Sequence, residues 1–334
     1  MAESPPNQDS NPSAALLTEL EQLRGEPDEQ KQALRAWQIV TQATGNSDFG
    51  VLLDFAVEQG LVRPLIQGSA ADSPASQSRA CTWINPADST SMIWIPPGPF
   101  FVKEKKERAE CAGFSLAREP VTNLQFHAFL EATGYTPPEN HPDNNLFLNH
   151  WTNRKLPPGR ELHPVVWVSY LDALAYCRWA GLTLPTEWQW EKAGRGTDGR
   201  DYPWGNASSR RDVVPADLAN INGSDTVPVG KHPRTRTPYG CEDMLGNVSE
   251  WCQLGGDDYG RMVPGCPNVP VPAASKVVQA AVRGSAFLRT PSSRLVSAHR
   301  RKLAITRRNQ WVGFRPALLF GCRPAVDLPS HLGR

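Results

Sequence analysis

Short apolar runs broken by proline, glycine and asparagine are the feature that most restricts the fold of this chain. Ile93–Ile95, for example, is followed at once by the turn residues Pro96–Gly98. Such runs predict short strands joined by turns. Two segments, Leu124–Thr133 and Tyr170–Ala180, instead show the apolar spacing of a helix, and Ser169 suits the N-cap of the second. The pattern predicts an α+β domain with many loops.

The composition sets outer limits on the class of protein. A chain of 334 residues predicts one large domain and a small one. The net charge of +1 gives no general attraction to nucleic acid or membranes, and no apolar run is long enough to span a membrane. Residues Met1–Ser10 are polar and do not resemble a secretory signal, so we expect a cytoplasmic protein.

The seven cysteines are an odd number and form no CxxC pair. In a reducing compartment this predicts free thiols, most of them buried. The spacing leaves a bridge between Cys241 and Cys252 undecided.

Residues 1–69 predict a small all-α domain. Leu16, Leu17, Leu20 and Leu23 recur at helical spacing, and two similar patterns follow before residue 67. Residues 70–81 are small and polar, which is typical of a linker. Two interpretations stay open for this domain, a solvated helical extension and an adaptor that contacts a protein partner.

Several short motifs occur in a fixed order across the rest of the chain. They are Met92–Phe100, Glu119–Asn123, His163–Ser169, Leu182–Glu191, Tyr202–Asn206, Asp243–Trp251, Val282–Ser285 and Val312–Arg315. In this order they resemble the formylglycine-generating-enzyme, or sulfatase-modifying-factor, domain family. The resemblance implies an elaborated C-type-lectin-like fold over residues 82–323, with a tail at 324–334.

The resemblance also implies where catalytic residues would lie. Members that make formylglycine use two cysteines between the Gly-Ser and Gly-Phe-Arg motifs, because the chemistry needs thiolates. No cysteine lies between Ala286 and Trp311, and the nearest equivalents are Leu288 and Ser292–Ser293. No histidine precedes His127, so the iron site of other members has no counterpart. We therefore predict that the chain is not an enzyme.

No cofactor is expected, apart from calcium as an open question. Family members bind calcium near the Gly-Asn-x-x-Glu-Trp segment, and Asn247 and Glu250 match that segment here. Calcium takes six to eight oxygen ligands, so two matched side chains do not define a site.

The segment 283–315 has eight arginines, one lysine and no acidic residue. It resembles the variable region of proteins that diversity-generating retroelements rewrite, which lies between the same two motifs. In this interpretation Arg283, Arg300, Arg308 and Arg315 belong to a fixed framework and pair with buried carboxylates. The candidate variable, ligand-binding residues are Leu288, Arg289, Pro291, Ser293, His299, Arg301, Leu303, Ala304, Asn309, Gln310 and Trp311.

The sequence therefore predicts a variable protein of a diversity-generating retroelement, which binds a macromolecular ligand, a protein rather than a nucleic acid, at its C-terminal surface. Two alternatives stay open. One is a divergent oxidase of the formylglycine-generating type, and the other is a regulatory partner of a kinase or protease.

Overall fold

A computed structural model describes residues 12–23, 39, 82–102, 107–137, 143–206, 218–253, 279–288 and 295–319. Helix α1 (Pro12–Gln22) confirms the first predicted N-terminal helix, and its Leu20 is fully buried. The third predicted helix, nearly all of the second, the linker 70–81 and the tail 324–334 lie outside the described residues. Within those residues, no helix has the length and apolar character needed to cross a membrane.

The first sheet joins the two ends of the large domain. Its four antiparallel strands lie in the order β1, β2, β5, β10. Their bounds are β1 (Thr82–Ile84), β2 (Ser91–Ile95), β5 (Phe114–Ala117) and β10 (Ala317–Leu319). Because β10 pairs with β5, the segment that follows the Gly-Phe-Arg motif is held against the start of the domain.

A hairpin and a second four-stranded sheet complete the strands. The hairpin is β3 (Gly98–Val102) with β4 (Glu107–Cys111). The second sheet has the order β8, β7, β6, β9, in which only the β6–β9 pair is parallel. Its strands are β6 (Ser249–Trp251), β7 (Gln279–Arg283), β8 (Arg300–Ala304) and β9 (Val312–Gly313).

Three helices of the large domain begin at capping boxes. They are α2 (Asn123–Thr133), α3 (Tyr170–Trp179) and α4 (Glu187–Arg195), capped by Thr122, Ser169 and Thr186. In each box the cap side chain accepts from the backbone of the third helical residue, whose own side chain accepts from the cap. The structure confirms both predicted helices and the Ser169 cap.

An aromatic cluster forms the centre of the core. Phe126 of α2 stacks on Tyr176 of α3, with ring centroids 5.9 Å apart, and Phe314 meets both rings edge-on. Phe314 follows β9, so this cluster anchors the C-terminal segment to the two helices. Such aromatic pairs each contribute about 0.5–1.5 kcal/mol beyond the area that they bury.

Glycine is required where the second sheet meets its neighbours. Gly246 has φ 89°, and a Cβ atom there would lie 2.8 Å from the Asn220 carbonyl oxygen. Gly284 has φ 73°, and a Cβ atom there would lie 3.2 Å from the Trp190 ring. Both backbone conformations disfavour residues with a side chain.

Candidate ligand-binding surface

One face of the second sheet carries a row of charged residues. Glu250 of β6 lies opposite Arg283 of β7, and Arg283 lies opposite Arg300 of β8. Directly paired residues project from the same face of a sheet. Helix α4 contributes partners to this row, because Trp190 contacts Glu250 and Arg283, and Glu187 accepts from Arg300 at 2.7 Å.

Glu191 of α4 holds two arginines at once. Its Oε2 accepts from Arg283 Nη2 at 2.6 Å, and its Oε1 accepts from Arg195 Nη1 at 2.6 Å. All three side chains are at most 1% exposed. Arg283 also donates to the backbone carbonyls of Ala298 and His299. The buried ion pair therefore fixes the backbone that leads into β8.

Arg315 is locked by Glu250 in the same way. The guanidinium forms two hydrogen bonds to the carboxylate, from Nε to Oε2 and from Nη2 to Oε1, both at 2.8 Å. Trp190 Nε1 donates to the same Oε2 at 2.6 Å. Arg315 also donates to the carbonyls of Ala117 and Arg118, so it connects the end of the segment 283–315 to β5.

Arg308 is the third fully buried arginine of the segment. It pairs with both oxygens of Asp172 at 2.8 and 2.9 Å, and the carboxylate also accepts from the Tyr135 hydroxyl. Burial, and then the Asp172 charge, raises the pKa of Tyr135, which keeps the hydroxyl protonated as a donor. Because Asp172 is the third residue of α3 and completes its capping box with Ser169, Arg308 ties the connection between β8 and β9 to a helix N-terminus.

The predicted pairing of framework arginines with buried carboxylates is confirmed at Arg283, Arg308 and Arg315, whereas Arg300 pairs with the half-buried Glu187. Sequence reasoning did not name the main partners, Asp172 and Glu191. A signal existed for each of them. Asp172 stands three residues after the Ser169 cap, and Glu191 lies one helical turn before Arg195.

The opposite face of β8 projects candidate variable residues. Arg301 and Leu303 alternate with the framework residue Arg300, so they point away from α4. The Arg301 guanidinium lies over the Trp311 ring at 5.5 Å from its centroid. Arg301, Leu303 and Trp311 are half-buried, and the neighbouring Gln310 is exposed. We call these four residues the outer face.

The other predicted variable residues do not share this position. Asn309 is only 9% exposed, its carbonyl accepts from Trp167 N, and its side-chain oxygen accepts from Trp311 N. The Asn309 side chain is therefore used within the fold, and its predicted contact with a ligand stays a prediction. Leu288, His299 and Ala304 are half-buried. The remaining three lie outside the described residues: Arg289, Pro291 and Ser293.

The geometry gives no support to calcium ligation by Asn247 and Glu250. The Asn247 side-chain oxygen accepts from Val227 N at 3.0 Å, and its amide donates to the Val227 carbonyl at 3.1 Å. The Glu250 carboxylate is neutralised by Arg315, which a cation would have to displace. Among the described residues, no three or more His, Cys, Asp or Glu side chains are grouped to hold a metal ion.

The model of the sulfatase-modifying factor enzyme 1-like domain matches residues 82–318, which is most of the chain. The chain belongs to this family. The C-type-lectin-like fold expected from the motifs is therefore the fold of residues 82–318.

Relatives within the family carry several functions. The formylglycine-generating enzyme of Mycobacterium tuberculosis is 28% identical over 265 residues, covering 60% of this chain and 88% of the enzyme. The hercynine oxygenase of Mycolicibacterium thermoresistibile is 34% identical over 166 residues, covering 41% of this chain and 35% of the oxygenase. A Chlamydia caviae serine/threonine-protein kinase, pkn1, is 33% identical over 185 residues, which cover 51% of this chain but only 28% of the kinase.

A solved structure shares the fold. Treponema denticola variable protein 1 superposes with a TM-score of 0.50 and 18% identity, covering 71% of this chain and 98% of the other. At this identity the likeness concerns the fold alone.

These relatives correct the prediction that the chain is not an enzyme. A formylglycine-generating enzyme and a hercynine oxygenase are among them, and this chain spans most of the former. The prediction relied on the missing cysteine pair and on the missing histidines of the iron site. One fold supports different reactions through different residues, so the loss of these motifs does not decide whether this chain is an enzyme.

The thiols of this family member that the structure describes are not suited to cysteine chemistry. Four cysteines are free and buried, which confirms the expected buried thiols and shows no bridge between Cys241 and Cys252. Burial raises the pKa of Cys111 and Cys241 to about 11, and it raises the pKa of Cys177 and Cys252 as well. The protonated thiol is a poor nucleophile and a poor metal ligand.

Proposed function

We propose that the chain binds a macromolecular ligand at the outer face, as a variable protein whose outer-face residues a retroelement diversifies. One observation carries the proposal. Within a single segment, Arg283, Arg308 and Arg315 are fully buried in ion pairs, whereas Arg301 is half-buried and Gln310 is exposed. A fixed framework that presents replaceable side chains has the logic of an antibody paratope.

The framework explains why substitution on the outer face would leave the fold intact. Each buried arginine connects the segment to a different element, namely α4, α3 or β5. The outer-face side chains take no part in these ion pairs. Surface substitutions away from buried networks, such as those at the exposed Gln310, change the free energy of unfolding by about 0.5 kcal/mol or less. Leu303 and Trp311 also pack against the hydrophobic core, so small apolar replacements are less well tolerated there.

Sequencing this gene in many clones of the source population tests the proposal. We expect amino-acid substitutions to cluster at Arg301, Leu303, Gln310 and Trp311. Asn309 serves as an internal control, because it lies between variable positions in sequence but is buried, so it should stay constant. A segment that is identical in all clones would refute diversification.

A catalytic role is the second candidate function, and the match over 88% of a formylglycine-generating enzyme favours it. The segment Ala286–Trp311 has no cysteine, so a reaction of that type would need other residues. Oxygen consumption with a cysteine-containing peptide, measured with and without copper, tests this candidate. Copper-dependent uptake above the rate of a heat-denatured control would support it, and an equal rate would reject it.

A further inference from the structure

The charges on the segment 283–315 are unevenly compensated. Among its arginines that the structure describes, five have a carboxylate within 4.0 Å. For Arg307 that partner, Asp143, lies at the longest distance, 3.9 Å, and the arginine is 59% exposed. Arg301 differs from them. In the part of the chain that the structure describes, no carboxylate lies within salt-bridge distance of it, and its neighbour is the Trp311 ring.

The position of the Arg301 guanidinium over the Trp311 ring prepares it to bind an anion. A guanidinium that lies over an indole uses its flat face for the ring, and its N–H groups remain at the edge. The edge of a guanidinium matches a carboxylate through two parallel hydrogen bonds. The ring also restricts the side chain, so less rotamer freedom is lost when a ligand binds.

The residues around Arg301 favour a protein ligand over a nucleic acid. Leu303 and Trp311 give the outer face an apolar part, and Gln310 adds an uncharged polar group at its exposed side. Arginine and tryptophan dominate binding hot spots between proteins. Nucleic-acid sites instead use rows or patches of cations that follow the phosphates.

We infer that the ligand of this chain is an acidic protein segment, whose carboxylate binds the edge of Arg301 while an apolar side chain beside it packs on Leu303 and Trp311. The inference rests on the proposed function, because it assigns a ligand class to the same surface. It concerns this variant of the outer face, since other residues at these positions would select other ligands.

Binding of a fluorescein-labelled peptide with alternating glutamate and leucine, followed by fluorescence anisotropy on the full chain, tests the inference. We expect saturable binding that weakens with added salt and that falls at least tenfold in R301E. The matched control is K155E, which changes the net charge equally at an exposed lysine outside the segment. Its affinity should stay within twofold of the unchanged chain.

Three results would overturn the inference: no saturable binding, equal losses in R301E and K155E, or equally tight and equally Arg301-dependent binding of a labelled oligo-dT of the same charge. The R301K variant separates charge from geometry, because lysine keeps the positive charge without the planar guanidinium. We expect R301K to recover less than half of the binding free energy that R301E loses relative to the unchanged chain. These outcomes are independent of clone sequencing, so failure of the ligand class and failure of diversification are distinguishable.

Discussion

Replacing Glu191 with glutamine should destabilise the domain strongly. The carboxylate is fully buried and compensates Arg195 and Arg283, each through a 2.6 Å hydrogen bond. Glutamine keeps the size of the side chain but leaves two buried guanidinium groups without a counter-charge. Removing one partner of a buried ion pair costs about 3–5 kcal/mol. That cost is a large fraction of the roughly 5–15 kcal/mol by which a native protein is stable.

The loss can be measured by urea unfolding followed by circular dichroism, and by thermal unfolding. A loss of this size corresponds to a decrease in Tm of roughly 6–20 °C for a domain of this length. The matched control is D198N, which breaks the pair between Arg200 and Asp198, the latter being 55% exposed. Exposed pairs contribute about 0–1 kcal/mol. If E191Q loses no more free energy of unfolding than D198N, the framework argument fails.

Three further predictions concern buried titratable groups. Burial, and then the Glu242 charge, raises the pKa of Glu119 to about 7, so the contribution of Glu119 to stability is complete below the unfolded pKa of about 4.5 and is lost as the pH rises through 7. The E119Q variant should therefore be more stable than the unchanged chain at pH 8 and equally stable at pH 4. Equal stability at both pH values would contradict this prediction. Burial, and then the Arg160 charge, lowers the pKa of His150 to about 4, so the contribution of neutral His150 to stability is present above pH 6.5 and is lost as the pH falls through 4. Urea unfolding of the H150N variant should therefore show a smaller loss of stability between pH 6.5 and pH 4 than the unchanged chain. The same pH profile in both proteins would contradict the lowered pKa of His150. A thiol reagent should modify the four buried cysteines only when the protein is unfolded in denaturant, so mass spectrometry of the native protein should find no label on them. Rapid labelling of the native protein would instead show that these thiols are accessible. They are Cys111, Cys177, Cys241 and Cys252.

Local patterns made much of the fold predictable. The α2 and α3 helices followed from apolar spacing, and Ser169 marked the start of α3 because a cap and the residue three positions later act together. These features depend on neighbouring residues, which a sequence displays directly.

Features that depend on distant contacts were harder to predict. Asn309 looked like its neighbours Gln310 and Trp311, but it is buried because the connection between β8 and β9 has no regular alternation to assign its side chain to a face. Glu250 resembled a calcium ligand, and only the fold shows that Arg315 occupies its carboxylate. The arginines were recognisable as framework, whereas their partners lie more than 60 residues away in the chain.

The central claim is that the segment 283–315 combines a fixed framework with a replaceable outer face. Saturation substitution of this segment, with protease resistance measured for every variant, tests it most directly. We predict that most substitutions at Arg301 and Gln310 leave resistance within about 0.5 kcal/mol of the unchanged chain. Nearly all substitutions at Arg283, Arg308 and Arg315 should abolish it. Similar sensitivity at both groups of positions would contradict the account.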